Sequence, residues 1–482
     1  MPWYFWSATT VVNYIAVILT IVHILRVRRD PRGMMAWILT LILLPFIGLV
    51  LFLVVGRLPI ERKIRKIRKR RRRIEPGLEK QTAVLSESHD VPEGDPRIDL
   101  DQRKLMNLAT RLAGTVVTSG NQVEIRYDGE KAFLELSLSI EQAKSHVHLM
   151  YYIYADDDTG RGMSDLLIRK AQQGVEVRLL LDAVGCWNLS REHLRRLKKG
   201  GVDVAFFMPW KPMRRRFQMN CRNHRKLCVV DGMIAFTGSK NIGDEYVGRK
   251  AKYGPWRDTN LTMRGPCVTQ FQEIFAEDWH FATKEDLASD LYFPTPERVG
   301  RHCVQIVASG PDDPAHVLHQ LLYASVSDAS ESIDIITPYF VPDQAMLLAL
   351  TSAAYRNVRV RLLLPSRTDS KIVLWAGRSF YEELLRTGVE IYEYDRGMLH
   401  SKTAIVDRRW SLVGSANMDQ RSFRINFELT NILYDEELAL ELHRDFESLL
   451  DGAVRVTRKR VASRKLREQL AVGAARLASP ML

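Results

Sequence analysis

Cysteine is scarce: five residues in 482 (Cys186, Cys221, Cys228, Cys267, Cys303), odd in number and with no CxxC pair. That excludes a zinc ribbon and a dense disulfide framework, and fits a reducing compartment. Charge is missing altogether from two long stretches: residues 1–25 and 34–56 contain no Lys, Arg, Asp or Glu. A basic region ahead of the first stretch is also lacking, which argues against a cleaved signal peptide. With 46% hydrophobic and 26% charged residues, the chain is neither disordered, collagen-like nor a coiled coil.

The net charge of +13 is confined to two places. Residues 26–33 contribute +3 and residues 57–73, with eleven basic residues and one Glu, contribute +10. The remainder, 74–482, is net zero. Basic clusters beside charge-free apolar runs are a membrane signature, not a nucleic-acid one. Spans are expected over 3–25 and 34–56, each long enough to cross ~30 Å of hydrocarbon. Trp3, Tyr4, Trp6 and Trp37 lie near their ends as interfacial anchors. The eleven basic residues place both ends of this hairpin on the cytoplasmic side, against the four Arg of the intervening loop.

Beyond a linker, the chain alternates strand-like and helix-like stretches: 147–155, 163–174, 175–185, and again 332–341, 344–357, 358–365. The expected fold class is α/β, with sheets flanked by helices. The repetition extends to side chains. His224 and Lys226 precede Asp231 as HxKxxxxD, and His400 and Lys402 precede Asp407 identically. Gly238, Ser239 and Asn241 follow His224 at the offsets at which Gly414, Ser415 and Asn417 follow His400. Residues two apart on a strand share a face, so each half presents an imidazole and an ammonium together.

Two facing sets of His, Lys, Ser and Asn suit a phosphate group. Lys226, Lys402, Asn241 and Asn417, with Ser239 and Ser415, are the candidate phosphate ligands, and no metal is required. Two histidines permit a two-step displacement, one attacking phosphorus and the other serving as acid and then base. Asp231 and Asp407 are counted with the catalytic set as motif members. Asp231-Gly232 nevertheless reads as a turn on the face opposite His224, where a structural role is expected of both aspartates. Asp258 and Glu428, in the similar frames Asp-Thr-Asn and Glu-Leu-Thr-Asn, are candidates to orient the histidines.

These paired motifs resemble the phospholipase D superfamily. The whole chain resembles its bacterial cardiolipin synthases, through 28–57, YYIYADDDTGRG (151–162), NHRKLCVVDGMIAFTGSKNIGDEY (223–246), PWRDTN (255–260), TPYFVPD (337–343), LHSKTAIVD (399–407) and GSANMDQRSFRINFE (414–428). The resemblance implies two fused phospholipase D-like α/β domains with pseudo-twofold symmetry and one site between them, behind an N-terminal transmembrane hairpin. The corresponding divisions are 1–56 (hairpin), 57–99 (polybasic segment and linker), 100–295, 296–456 and 457–482. It implies condensation of two phosphatidylglycerol molecules to cardiolipin and glycerol through a phosphatidyl-histidine, with no cofactor, at the bacterial cell membrane. Either histidine can be the nucleophile, and His224 is favoured. A hydrolase with water as acceptor, a membrane-tethered nuclease and a non-catalytic lipid scaffold are the competing readings. Two departures are minor: Cys228 stands where a branched aliphatic is expected, and Gln420-Arg421 replace Asp244-Glu245 of the first half. Two further stretches suit a lipid surface: the aromatic and basic run 206–217, and 463–477, with Leu466, Leu470 and Leu477 at helical spacing.

Overall fold

The computed structural model describes residues 3–26, 31–53, 98–208, 221–313 and 315–482. The polybasic run 57–73, most of the linker and most of the 206–217 stretch lie outside them. The described residues fall in two compact units.

The described residues of the N-terminal unit form three helices. The first, Trp3–Arg26, has 24 residues and a length of about 36 Å. Its segment Thr9–Arg26 is, among the described residues, the one helical run long and apolar enough to cross a membrane. The second expected span is not continuous. A helix over Pro31–Leu43 stops at Leu44 and a shorter one, Pro45–Leu51, restarts. Pro45 has no N–H to donate, its ring clashes with the preceding turn, and it biases Leu44 out of the helical region; Leu44 sits at φ −132°, ψ 65°. The return is close enough that a Cβ on Gly48 would lie 2.7 Å from the Thr40 carbonyl oxygen. Val17, Ile24, Leu41 and Phe52 form the small core, with Trp37 edge-on to Phe52 at 5.3 Å. Leu19, Leu25, Leu39 and Leu43 stay exposed. An apolar lateral surface of that kind suits lipid.

The second unit is built on strands β1 (Val117–Arg126), β2 (His146–Tyr151), β3 (Glu176–Asp182), β4 (Asp203–Phe207), β5 (Leu227–Val230), β6 (Ile234–Gly238), β7 (Trp256–Arg257), β8 (Asn260–Arg264), β9 (His302–Ser309) and β10 (Ser332–Ile336). It continues through β11 (Phe340–Val341), β12 (Arg359–Pro365), β13 (Glu390–Tyr394), β14 (Met398–Leu399), β15 (Thr403–Val406), β16 (Trp410–Gly414), β17 (Met418–Asp419), β18 (Glu428–Leu433) and β19 (Ala453–Arg455). Among the described residues, 15 of these form one sheet. Its centre is the antiparallel β1–β9 pair. Outward on one side run β8, β6, β5, β2, β3 and β4; on the other run β18, β16, β15, β10, β12 and β13, capped by β19. The strand order is the same on both sides.

In each array three strands are parallel: β2, β3 and β4, and β10, β12 and β13. Parallel neighbours need a crossover, supplied by helices Asp158–Gln172 and Gln344–Tyr355. Both begin at an aspartate whose side chain accepts a backbone N–H, Asp157 and Asp343. The middle strands are covered on both faces and share an apolar run, LLL at 179–181 and again at 362–364. Leu179 and Leu181, and Leu362 and Leu364, are buried in two clusters, one per array. The motif strands β5 and β15 run antiparallel to β2 and β10, so that Leu227 and Thr403 enter at the C-terminal ends of those strands. Residues 224–226 and 400–402 therefore sit at the edge of the sheet where parallel strands end.

Candidate active site

Short stretches of backbone cross from each array to the other at this edge. Residues 222–224 run beside 427: Phe427 N–H donates to Arg222 O (2.8 Å) and His224 N–H to Phe427 O (2.9 Å). Likewise β14 pairs with β7, and His400 N–H donates to Arg257 O (2.7 Å). Glu428 follows Phe427, and Asp258 follows Arg257. Each carboxylate is thereby delivered to the histidine of the other array. Nδ1 of His224 lies 2.9 Å from Glu428 Oε2, and Nδ1 of His400 lies 2.8 Å from Asp258 Oδ1. The sequence left this pairing open; the structure crosses it. A carboxylate only accepts, so Nδ1 carries the proton and Nε2 the lone pair.

Both carboxylates are buried and held by further donors. Asp258 accepts Ser239 Oγ (2.6 Å) and Trp256 Nε1 (2.8 Å). Glu428 accepts Ser415 Oγ, Ser422 Oγ (2.9 Å) and Asn426 Nδ2 (3.2 Å). Burial opposes ionisation of each. For Asp258, His400 and Lys402 outweigh that and hold the carboxyl below the usual range; for Glu428, His224 and Lys226 do so.

This corrects the assignment of the two serines. Ser239 and Ser415 were expected on phosphate, but their hydroxyls are committed to the orienting carboxylates. The motif aspartates are also elsewhere. Asp231 accepts the backbone N–H groups of Lys144, Ser145 and His146, and Asp407 those of Ser330, Glu331 and Ser332. A four-residue strand, itself about 13 Å long at ~3.3 Å per residue, separates each from its lysine. The structure does not bring Asp231 or Asp407 to the histidines, because β5 and β15 carry them to the far edge, where they tie the β5–β6 and β15–β16 turns to the starts of β2 and β10.

The lysines are inside. Lys226 Nζ donates to His224 O (2.6 Å) and Lys402 Nζ to His400 O (2.7 Å). Burial lowers both: Lys402 to about 8, Lys226 well below its ordinary value. Burial also lowers both histidines, His224 to about 4, against the pull of their carboxylates. At neutral pH both imidazoles are uncharged. They differ at Nε2. Lys402 Nζ is 3.0 Å from His400 Nε2, whereas His224 Nε2 has no hydrogen-bond partner among the described residues. Lys226 instead sits 5.4 Å from the Tyr152 ring centroid, and Tyr152 meets His224 edge-on at 5.0 Å. Asn241 Oδ1 accepts Ile153 N–H (3.2 Å), and Asn417 N–H donates to Ser422 Oγ (3.1 Å). Asn417 and Lys402 line one small cavity.

Sequence reasoning missed several members. Trp256 and Asn426 each stand two residues before an orienting carboxylate and donate to it; the shared spacing on an extended segment was the available signal. Arg225, the middle residue of the first motif, is buried, binds Asp278 (2.6 Å) and donates from Nε to Glu428 O (3.1 Å). No sequence spacing announces a contact across 203 residues.

The profile of the family described as "Cardiolipin synthase, PLD-like domain" matches residues 136–279 and 322–450. That described as "Phospholipase_D-nuclease N-terminal" matches 15–57. The chain is 39% identical over 462 residues to a cardiolipin synthase of Geobacillus kaustophilus (strain HTA426), covering 94% of this chain and 90% of that protein. It is 37% identical over 457 residues to cardiolipin synthase 2 of Bacillus anthracis, covering 94% and 88%. Among solved structures, phosphatidylserine synthase of Haemophilus influenzae Rd KW20 superposes with TM-score 0.62 at 13% identity, covering 80% of this chain and all of that one. That last likeness is one of fold.

Proposed function

The chain belongs to the bacterial cardiolipin synthases of the phospholipase D superfamily, and we propose that its crossed histidine–carboxylate pairs transfer a phosphatidyl group in two steps. It is a phosphatidyltransferase that makes cardiolipin. The observation that carries the assignment of roles is the difference at Nε2: open on His224, occupied by Lys402 on His400. His224 is the nucleophile and His400 the acid and base.

In the first step His224 Nε2 attacks the phosphorus of phosphatidylglycerol. The P–N bond forms, the P–O bond to the headgroup glycerol breaks, and the leaving oxygen takes a proton from His400. Lys402 is placed to keep His400 Nε2 supplied with that proton. Glu428 and Asp258 stabilise the positive charge on whichever imidazole bears it. In the second step His400 removes the proton from a hydroxyl of a second phosphatidylglycerol. That oxygen attacks phosphorus, the P–N bond breaks, and cardiolipin and free His224 result. Lys226, Lys402, Asn241 and Asn417 are assigned to the non-bridging oxygens. A buried lysine that is easily neutralised when the site is empty regains its charge beside a phosphodiester anion. No step calls for a metal. The net-zero charge of residues 74–482 favours lipid over nucleic acid as substrate. The apolar N-terminal helix and the basic run after it favour a cell-membrane location, with the site on the cytoplasmic face.

The test is mass spectrometry of lipid products from the full chain in phosphatidylglycerol vesicles, with chelator and with a His224→Ala control. Cardiolipin plus glycerol from the wild type alone, unaffected by chelator, is the expected result. Phosphatidic acid without cardiolipin would make the enzyme a hydrolase. Alkaline quenching, which preserves phosphohistidine, followed by peptide mapping locates the adduct. An adduct on His400 would reverse the two roles.

A further inference from the structure

The last 30 residues differ from the rest of their unit in charge and in what they expose. Residues 453–482 hold eight Lys or Arg and one Glu, net +7, whereas 74–452 sum to −7. Within them the helix Leu466–Ala478 turns Val472 and Ala475 inward. It packs on the helix Lys371–Arg378, with Arg464 donating to Arg378 O (3.1 Å) and Arg476 to Ser379 O (3.2 Å). Its other face is left bare. Leu466, Leu470 and Leu477 are 69%, 64% and 85% exposed, with Gly473 and Ala474 exposed between them. Steps of four, three and four residues make this one stripe. Ile372 and Trp375, one turn apart on the neighbouring helix, are exposed too. Lys371, Lys465 and Arg467 have no ion-pair partner among the described residues. Beside the stripe a cavity of about 300 Å³ is lined by Arg378, Arg460, Arg464 and Lys465 against Glu393 and Glu468. Glu393 is already bonded to Arg378 and Arg460, so the surplus there is positive.

The placement matters as much as the composition. The helix Lys371–Arg378 follows the C-terminal end of β12, the edge of the sheet at which His400 and Lys402 enter. The turn Ser479–Met481, immediately after the leucine helix, packs on Gln420–Arg424, the helix that follows Asn417.

We propose that Leu466–Ala478 is an in-plane membrane contact, its leucine stripe entering the headgroup–acyl boundary of an anionic phospholipid bilayer while the cation-lined cavity takes an anionic headgroup. The proposal rests on the reading of the site as one that acts on bilayer phospholipid. Apolar residues on one face with unpaired cations alongside are what such a surface binds. The −7 carried by residues 74–452 is repelled by the same surface, so the two charges together orient the unit with its active edge toward lipid.

The test uses the full chain in proteoliposomes of phosphatidylglycerol and phosphatidylcholine. The native cysteines are buried, so a polarity-sensitive fluorophore can be placed at Leu470→Cys. The exposed Tyr355, at the far end of the helix Gln344–Tyr355, is the control position as Tyr355→Cys. Expected are a blue-shifted emission and at least half quenching by a lipid-borne nitroxide at 470, with neither at 355. Both effects should fall at least threefold in phosphatidylcholine alone, or when Lys465→Glu and Arg467→Glu are combined. Aqueous emission at 470 in the anionic bilayer overturns the proposal. So does a shift that appears without lipid and grows with protein concentration, which would assign the stripe to a second copy, or one produced only by added duplex DNA. The probe reads contact, not turnover. Cardiolipin formed without quenching defeats the docking surface alone, and quenching without cardiolipin defeats the reading of the site alone.

Discussion

The two arrays of the second unit share a strand order and a motif but not the surroundings of their histidines. On both sides a histidine enters at the end of the parallel strands, a lysine two residues on caps its carbonyl, and a serine holds a carboxylate lent to the opposite histidine. At the site the differences lie in side chains. His224 answers to a glutamate with three further donors, His400 to an aspartate with two. Lys402 reaches its own histidine's Nε2 and Lys226 does not. Away from the site, Arg361 is paired with Asp334 through two buried bonds, while Arg178 at the matching position faces His148 and reaches outward to Glu176 and Glu285. Repeated backbone supplies two imidazoles at one edge of the sheet, each bonded to a carboxylate of the other array; in the proposed mechanism their unequal neighbours divide nucleophile from acid. Neither array is complete alone, since each lacks the carboxylate its own histidine needs.

The division is broken most directly at the histidines. His224→Ala and His400→Ala should each lower cardiolipin formation by about 10³-fold or more. Peptide mapping should find no phosphatidyl adduct in the first variant and an adduct on His224 in the second. Next come the orienting groups. Glu428→Gln and Asp258→Asn should each cost about 10²–10⁴-fold in turnover by destabilising the imidazolium and releasing the tautomer. The first should block adduct formation, and the second should leave the adduct on His224 while slowing its discharge. A pH profile of kcat/KM sharpens the lysine contrast. Lys402 acts charged and titrates at about 8, so activity should fall as pH rises through 8. His224 acts neutral and titrates at about 4, so activity should fall again only as pH drops toward 4. Lys402→Arg should remove the limb at 8 and slow turnover, because a guanidinium keeps its charge but does not release its proton. Smaller still, Asp231→Ala and Asp407→Ala should each destabilise the fold by about 1–3 kcal/mol, through stranded backbone amides. A thermal melt should shift in both, while turnover of the folded fraction stays within about twofold, because neither carboxylate meets the reacting atoms. Cys228, buried in β5 where Ala404 stands in β15, should tolerate Cys228→Ala at a cost of about 1 kcal/mol with unchanged turnover.

Much of this frame was legible from residue order. Strand-like runs at 147–155, 175–185, 332–341 and 358–365, alternating with helix-like ones, placed the α/β arrays, because burial on both faces favours Val, Ile and Leu. The equal offsets of His, Lys, Ser and Asn marked the duplication. The N-terminal helix was visible as a charge-free run. The break at Leu44–Pro45 was visible as well, in the proline itself, but counting charges alone passed over it.

Residue order therefore fixes what is periodic and local: which segments are strand-like and which helix-like, and that the chain carries the motif twice. Only the tertiary structure decided which carboxylate serves which histidine, that the serines hold carboxylates, that Asp231 and Asp407 tie turns far from the chemistry, and that Lys402 alone closes on its imidazole. The physical reason is range. Strand and helix patterns arise from neighbours within a few residues, whereas the His224–Glu428 contact spans 204 residues and His400–Asp258 spans 142. Those pairings follow from two short backbone ladders at the sheet edge, and no local spacing encodes them.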